Sequence, residues 1–329
     1  MPALEGSVLE RAEDLAERIL PSRTPKQRML VIVNPYASTV SDRLKNLVVY
    51  ALQARYEVEA IDTEAKSHAT ELCREAAHEG YDVVVAFGGD GTINEAANGL
   101  IGCETPLTCL PGGATNVFCR ILGIPNDVVD ATEHLLRIAD DFRPRRVDTG
   151  TVNGRHFTFA SGIGLDASVV ERVDRHPTLK RRLNYWYFTW AALSTFNRRY
   201  LVNPPRIRVE AGGRVVEGVT AIIQTTDPFT YFGRRPLRIC EPSEIDDGTF
   251  GLTVLKRASP LEMGLLPRIF SASSERMQRA RQVEGFAAID RATVTALGKP
   301  FPLQMDGDYV GDFESVEYGV ARRSLLVVS

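Results

Sequence analysis

The sequence predicts two parts, an α/β domain built on a parallel sheet and then an antiparallel β-sandwich, on the strength of three observations. At 329 residues the chain exceeds what one hydrophobic core ordinarily fills, because single cores stop growing near roughly 250–300 residues. From Met29 onward, apolar runs alternate with stretches of helical periodicity, as in successive βαβ units. Beyond Arg146 the apolar runs shorten and are separated by Gly, Asp and Pro, as in stacked antiparallel strands. The expected divisions are residues 1–27, a helical extension and linker; 28–145, the α/β domain; and 146–329, the sandwich.

Taken in order, Val8, Leu9, Ala12, Leu15, Ala16, Ile19 and Leu20 recur at helical spacing until Pro21 and Pro25 end the pattern. "MLVIVNP" reads as a strand, "SDRLKNLVVYALQARY" as a helix capped by Ser41 or Asp42, "EVEAIDT" as a strand, and "SHATELCREAAHEG" as a helix closed by Gly80. "YDVVVAFGG" follows as a strand buried on both faces, since its apolar run does not alternate. Parallel strands joined by right-handed crossovers place ligands at their carboxyl ends. The loops expected there are Asn34–Ser38, Thr63 onward, Gly88–Thr92 and "LPGGATN" after "PLTCL". In the second part Asn153-Gly154 is a hairpin dipeptide, and helical patterns interrupt the strands at about Ala167–Asn197 and Pro260–Gln282.

A net charge of -3 and a pI near 6.0 give no overall basic field, which argues against nucleic acid as a partner. Cys73, Cys103, Cys109, Cys119 and Cys240 form no CxxC pair, and the spacing suits reduced thiols in a cytoplasmic protein. The acidic N-terminus lacks the features of a secretory signal, and no stretch approaches the ~18 apolar residues that span a bilayer. The expectation is a cytoplasmic protein, either soluble or peripheral on the inner face of the membrane. Oligomeric state, a homodimer included, is left open.

The stretch "VVVAFGGDGTINE" contains an Asp-Gly pair, but a buried strand precedes it and a helical run follows, so a hairpin does not fit. Strand, glycine turn and helix make a phosphate cradle, in which glycines admit close backbone approach and the helix N-terminus favours an anion. A tight turn that binds nothing would give the same pattern. Asp90 beside a phosphate makes sense if it holds Mg²⁺ or orients a donor.

"GGDGT" after a buried strand resembles the signature of diacylglycerol and sphingosine kinases, NAD kinases and phosphofructokinases. The loops "VNPYAS", "GGDGTINEAANGL" and "LPGGATNVFCRILGIP", with "VDTGTVNGRHFTFASGIGLDA" after them, resemble the diacylglycerol kinase catalytic family from about Met29 to Val328. The resemblance implies a Rossmann-like nucleotide-binding domain followed by a β-sandwich that takes the lipid. The activity it implies is ATP-dependent phosphorylation of a lipid hydroxyl, most simply of diacylglycerol to phosphatidic acid. Alternatives are a NAD kinase-like enzyme and a non-enzymatic lipid or nucleotide sensor.

Residue by residue, the resemblance implies ATP contacts at Asn34, Pro35, Tyr36, Ala37, Ser38 and Thr63, and at Gly89, Asp90, Gly91, Thr92, Ile93, Asn94 and Glu95. In the third loop Ala114 stands where many relatives carry Thr and Val117 where many carry Asp, which leaves Thr115 as the nearest hydroxyl. The "DG" turn at Asp247-Gly248 is similar to a Mg²⁺ site, with the Asp247 carboxylate and the carbonyls of Glu244 and Thr249 as ligands; a plain turn between strands is the other reading. In "FPLQMDGDYV" the family's D-G-E becomes Asp306-Gly307-Asp308, and the proton acceptor is Asp308 or Asp306.

A lipid needs a route in. Lys180, Arg181 and Arg182 precede Tyr185, Trp186, Tyr187, Phe188 and Trp190, and Arg198 and Arg199 follow. Aromatics beside cations suit the headgroup region of a membrane, and they equally suit a buried amphipathic helix.

Overall fold

The computed structural model describes residues 26–139, 141–164, 167–168, 205–241, 243–257 and 280–329. The expected N-terminal helix and the aromatic segment at 180–199 lie outside these residues, as does nearly all of the two helical interruptions of the second part.

The first part runs β1 (Gln27–Val33), α1 (Asp42–Leu52), β2 (Tyr56–Asp62), α2 (His68–Glu79), β3 (Val83–Gly88), α3 (Asp90–Leu100), β4 (Leu107–Pro111), α4 (Val117–Ile121) and α5 (Val128–Ile138). Its strands are parallel in the order β2-β1-β3-β4. Val31, Ile32, Val33 and the strand β3 are buried on both faces, as their unbroken apolar run requires. The caps follow the sequence: the Ser41 hydroxyl accepts from the Leu44 amide, and Gly80 takes the left-handed conformation (φ 74°) that ends α2.

The second part comprises β5 (Arg145–Val152), β6 (Arg155–Phe157), β7 (Ala160–Ile163), β8 (Ile207–Ala211), β9 (Arg214–Gly218), β10 (Thr220–Gln224), β11 (Thr230–Phe232), β12 (Arg235–Leu237) and β13 (Phe250–Leu255). It ends with β14 (Val283–Ile289), β15 (Arg291–Ala296), β16 (Phe301–Met305), β17 (Asp308–Phe313) and β18 (Ser315–Val327). Six strands form one antiparallel sheet, β14-β13-β10-β7-β16-β17. Phe157, Phe250, Phe286, Phe301 and Tyr318 fill the core between this sheet and its partner. Asn153 and Gly154 make the β5–β6 turn with both φ angles positive, 48° and 81°, as a two-residue hairpin demands.

The facing sheet is not separate from the first part. The long strand β18 pairs antiparallel with β5 and β15, and its end pairs parallel with β4, Val327 opposite Leu107. Leu325, Val327 and Val328 pack in the α/β core rather than in the sandwich where a division at 145/146 would put them. The end of β18 meets β4 at its first residue, and this single bridge joins the two parts in one sheet. One sheet therefore continues through both parts.

Candidate active site

Three of the expected loops meet above β1, β3 and β4. The Asn34 amide donates to the Phe87 carbonyl (2.9 Å), the Thr39 amide to Gly112 (3.1 Å) and the Gly112 amide to Gly88 (2.8 Å). Here backbone lies on backbone: a Cβ on Gly112 would stand 2.9 Å from the Gly88 Cα, and one on Gly113 2.8 Å from the Gly89 Cα. No side chain fits at either position, and this contact explains Gly112 and Gly113. Asn34 donates from Nδ2 to the Thr92 hydroxyl (2.9 Å) and accepts from the Tyr36 amide, tying the first loop to the start of α3. Asn116, buried and left-handed (φ 47°), clamps Gly113 through both its amide and its carbonyl.

The other expected contacts distribute around this junction. Pro35, Ala37 and Ser38 lie in the first loop with the exposed Tyr36, and Thr63 is buried at the end of β2, its amide on the Val33 carbonyl. Ile93 is a core residue. The Glu95 side chain turns to the start of α2, where it accepts from the Ser67 amide (2.8 Å).

Asp90 orients donors. One oxygen accepts from the Thr115 hydroxyl and the other from the Phe118 amide, both at 3.1 Å. Burial pushes its carboxyl up to about 6; the amides of Val117 and Phe118 oppose this, and the Asp306 charge adds to it. Val117, in place of a carboxylate, is buried in the α/β core. Asp148, buried in β5, accepts from the amides of Gly248 and Arg323, each at 2.6 Å.

The acidic pair near the C-terminus separates into two unlike residues. Asp306 and Gly307 (φ 48° and 85°) are the two-residue turn between β16 and β17, so this Asp-Gly pair is a hairpin. The Asp306 carboxylate is nevertheless buried. It accepts from Asn94 Nδ2 (2.7 Å), the Thr158 amide (2.6 Å) and hydroxyl (2.8 Å), and the amides of Phe159 (3.0 Å) and Ala160 (3.1 Å). Burial raises its pKa, and these donors act in the opposite direction. Five donors leave no acceptor site for a substrate proton. Asp308, two residues on and half-buried, places its carboxylate against Gly91, where a Cβ would collide with it.

The Asp247 carboxylate is engaged by its own turn. Its two oxygens accept from the Ser243 hydroxyl (3.1 Å), the Glu244 amide (2.9 Å), the Thr249 amide (2.8 Å) and the Thr249 hydroxyl (2.8 Å). The Thr249 carbonyl accepts from Ser243 and the Glu244 carbonyl from the Asp247 amide. The single Ser243 proton serves either Asp247 or the Thr249 carbonyl, so the carboxylate is held chiefly by the Glu244 and Thr249 donors; among the described residues no cluster of three His, Cys, Asp or Glu side chains is found. The turn is not a hairpin, since β13 pairs with β10 and β14.

Sequence reasoning passed over Asn98, His156 and Thr158. Asn98 donates to the His156 carbonyl (2.9 Å) and accepts from the His156 amide (3.1 Å), docking α3 on β6. The available signal was Asn94 and Asn98 four apart on one helix face.

Residues 28–152 match the family model of the diacylglycerol kinase catalytic domain. Diacylglycerol kinase of Staphylococcus aureus, strain RF122, is 27% identical over 295 residues, covering 87% of each chain. A crystal structure from Bacillus anthracis superposes with a TM-score of 0.72 at 24% identity, covering 94% of this chain and 97% of that one. Yeast NADH kinase in complex with NADH superposes with a TM-score of 0.52 at 10% identity, covering 93% and 84%. The expected class of fold, an α/β domain with a parallel sheet and then an antiparallel sandwich, is the one these structures share.

Proposed function

We propose that this chain, whose residues 28–152 belong to the diacylglycerol kinase catalytic-domain family, transfers the γ-phosphate of ATP to a lipid hydroxyl, most simply that of diacylglycerol. The observation that carries the reading is the Asp308 carboxylate resting on Gly91 at the start of α3. A helix N-terminus reached by glycine loops binds phosphate through its amides and its dipole. In-line attack by an alcohol needs a carboxylate beside that phosphate to take the hydroxyl proton.

In this reading the loops at Asn34–Ser38, Gly89–Thr92 and Gly112–Asn116 hold the nucleotide, and Asp308 accepts the proton. Thr115 acts through Asp90, to which its hydroxyl is donated. ATP is the substrate in its Mg²⁺ complex, the form in which the ion travels with the phosphates. The turn at Ser243–Thr249 holds itself. No described helix is long and apolar enough to cross a membrane. In this reading the basic and aromatic segment at 180–199 is the membrane contact through which the lipid arrives. Vesicle co-sedimentation unaltered by replacing those aromatics would remove the membrane contact.

The test is transfer of label from γ-labelled ATP to diacylglycerol in mixed micelles by the full chain, with NAD as a control acceptor because the NADH kinase shares the fold. Labelled phosphatidic acid, absent with Asp308→Asn, is the expected result. Labelled NADP with no labelled lipid would replace this reading with the NAD kinase one.

A further inference from the structure

We infer that Asn94 is a positioning residue, which fastens the nucleotide helix to the β16–β17 turn and thereby sets the place of Asp308. The proposal rests on the phosphotransfer reading above and assigns Asn94 a task other than the nucleotide contact implied by its motif.

One stripe of α3 carries the argument. Gly91, Asn94 and Asn98 stand at i, i+3 and i+7, which is a single helix face. Gly91 meets the Asp308 carboxylate, Asn94 donates to Asp306, and Asn98 pairs with both backbone groups of His156. All three partners belong to the second part of the chain. Asn94 is itself buried, 4% exposed, and its Nδ2 is divided between Asp306 (2.7 Å) and the His156 carbonyl (3.1 Å). Its Oδ1 accepts from Asn98 (3.3 Å), which sets the amide with its donor toward the carboxylate. The side chain is therefore engaged on the face turned to the sandwich.

The remaining four donors to Asp306 come from Thr158, Phe159 and Ala160, which are in the second part with it. Among the described contacts, Asn94 supplies the bond to this carboxylate from the nucleotide side. Only Gly307 separates Asp306 from Asp308 in this tight turn, so the bond sets how far the Asp308 carboxylate lies from the start of α3.

The experiment compares Asn94→Ala and Asn94→Asp with the wild-type full chain. Three readouts are taken: turnover of diacylglycerol, calorimetric affinity for ATP without lipid, and amide exchange at Gly307–Tyr309. For Asn94→Ala, kcat is expected to fall by about 10²-fold, the usual effect of a reacting group displaced by about 1 Å. The ATP Kd should stay within about twofold, and exchange at the turn should quicken by about tenfold. Weaker ATP binding with unchanged exchange would overturn the proposal and restore the nucleotide contact.

Asn94→Asp keeps the volume, so it creates no cavity and serves if the alanine variant does not fold. It sets a second carboxyl against Asp306, in a field that Asp90 also shares. A proton held between the pair restores the bond at low pH, and two charges repel at high pH. The kcat of Asn94→Asp relative to wild type at the same pH is expected to fall as the pH rises and the shared proton is lost; a ratio flat over the whole pH range in which both proteins stay folded overturns the proposal. Should the wild type phosphorylate no lipid, exchange and ATP affinity still decide the role of Asn94, so the two failures are distinguishable.

Discussion

The Asp308 carboxylate occupies the space that a Cβ on Gly91 would need. The proposed proton acceptor therefore rests on the backbone of the turn proposed to hold the phosphates. The space that glycine leaves open at 91 is taken by a side chain 217 residues further along the chain.

Gly91→Ala should lose activity without losing stability. Alanine is intrinsically better than glycine inside a helix by about 1 kcal/mol, and its Cβ meets the mobile end of a side chain rather than backbone. The expected outcome is a melting temperature equal to or above wild type with kcat reduced by about 10²-fold, read by thermal unfolding and turnover on the same preparation.

Asp306 and Asp308 should fail in opposite ways. Asp308→Asn is expected to lower kcat by roughly 10²–10⁴-fold, the contribution of a general base, with unfolding little changed. Asp306→Ala leaves five buried donors without their acceptor and should cost more than about 3 kcal/mol of stability. Urea titration of the two variants beside the kinetics separates the roles.

Asp90 gives the stability a signed pH dependence. Its carboxyl is raised from 3.8 to about 6 in the folded chain, so between these values the native state holds the proton more tightly than the unfolded state. Stability due to this group is complete below 3.8 and is lost as the pH rises through about 6. The effect is at most about 3 kcal/mol. Relative to Asp90→Asn, which cannot ionise, the wild-type denaturation midpoint should decline across that window; a constant difference would show that Asp90 is not raised.

The Ser243–Thr249 turn should be indifferent to divalent ions. Asp247→Ala breaks four hydrogen bonds of the turn and should cost on the order of 2 kcal/mol, by the same amount in chelator as in excess Mg²⁺. A wild-type melting temperature that rose with Mg²⁺ and no longer did so in the variant would show that the ion displaces these donors.

Elements whose cause is local were legible along the chain. An apolar run without alternation made β3 a doubly buried strand, Ser41 and Gly80 bounded their helices, and Asn153-Gly154 made its hairpin, because neighbours along the chain decide each of these. The sequence also distinguished Asp90-Gly91, at a helix start, from the turn pairs, since the flanking periodicities differ. Tertiary structure alone decided what depends on distant partners. It showed that the end of β18 joins β4 in one continuous sheet, that Asp247 is satisfied by its own turn, and that Asp306 is saturated while Asp308 reaches Gly91. Two aspartates two residues apart are equivalent in sequence. The fold makes them unlike, because burial, five converging donors and one facing glycine belong to the surroundings of each carboxylate and not to the chain beside it.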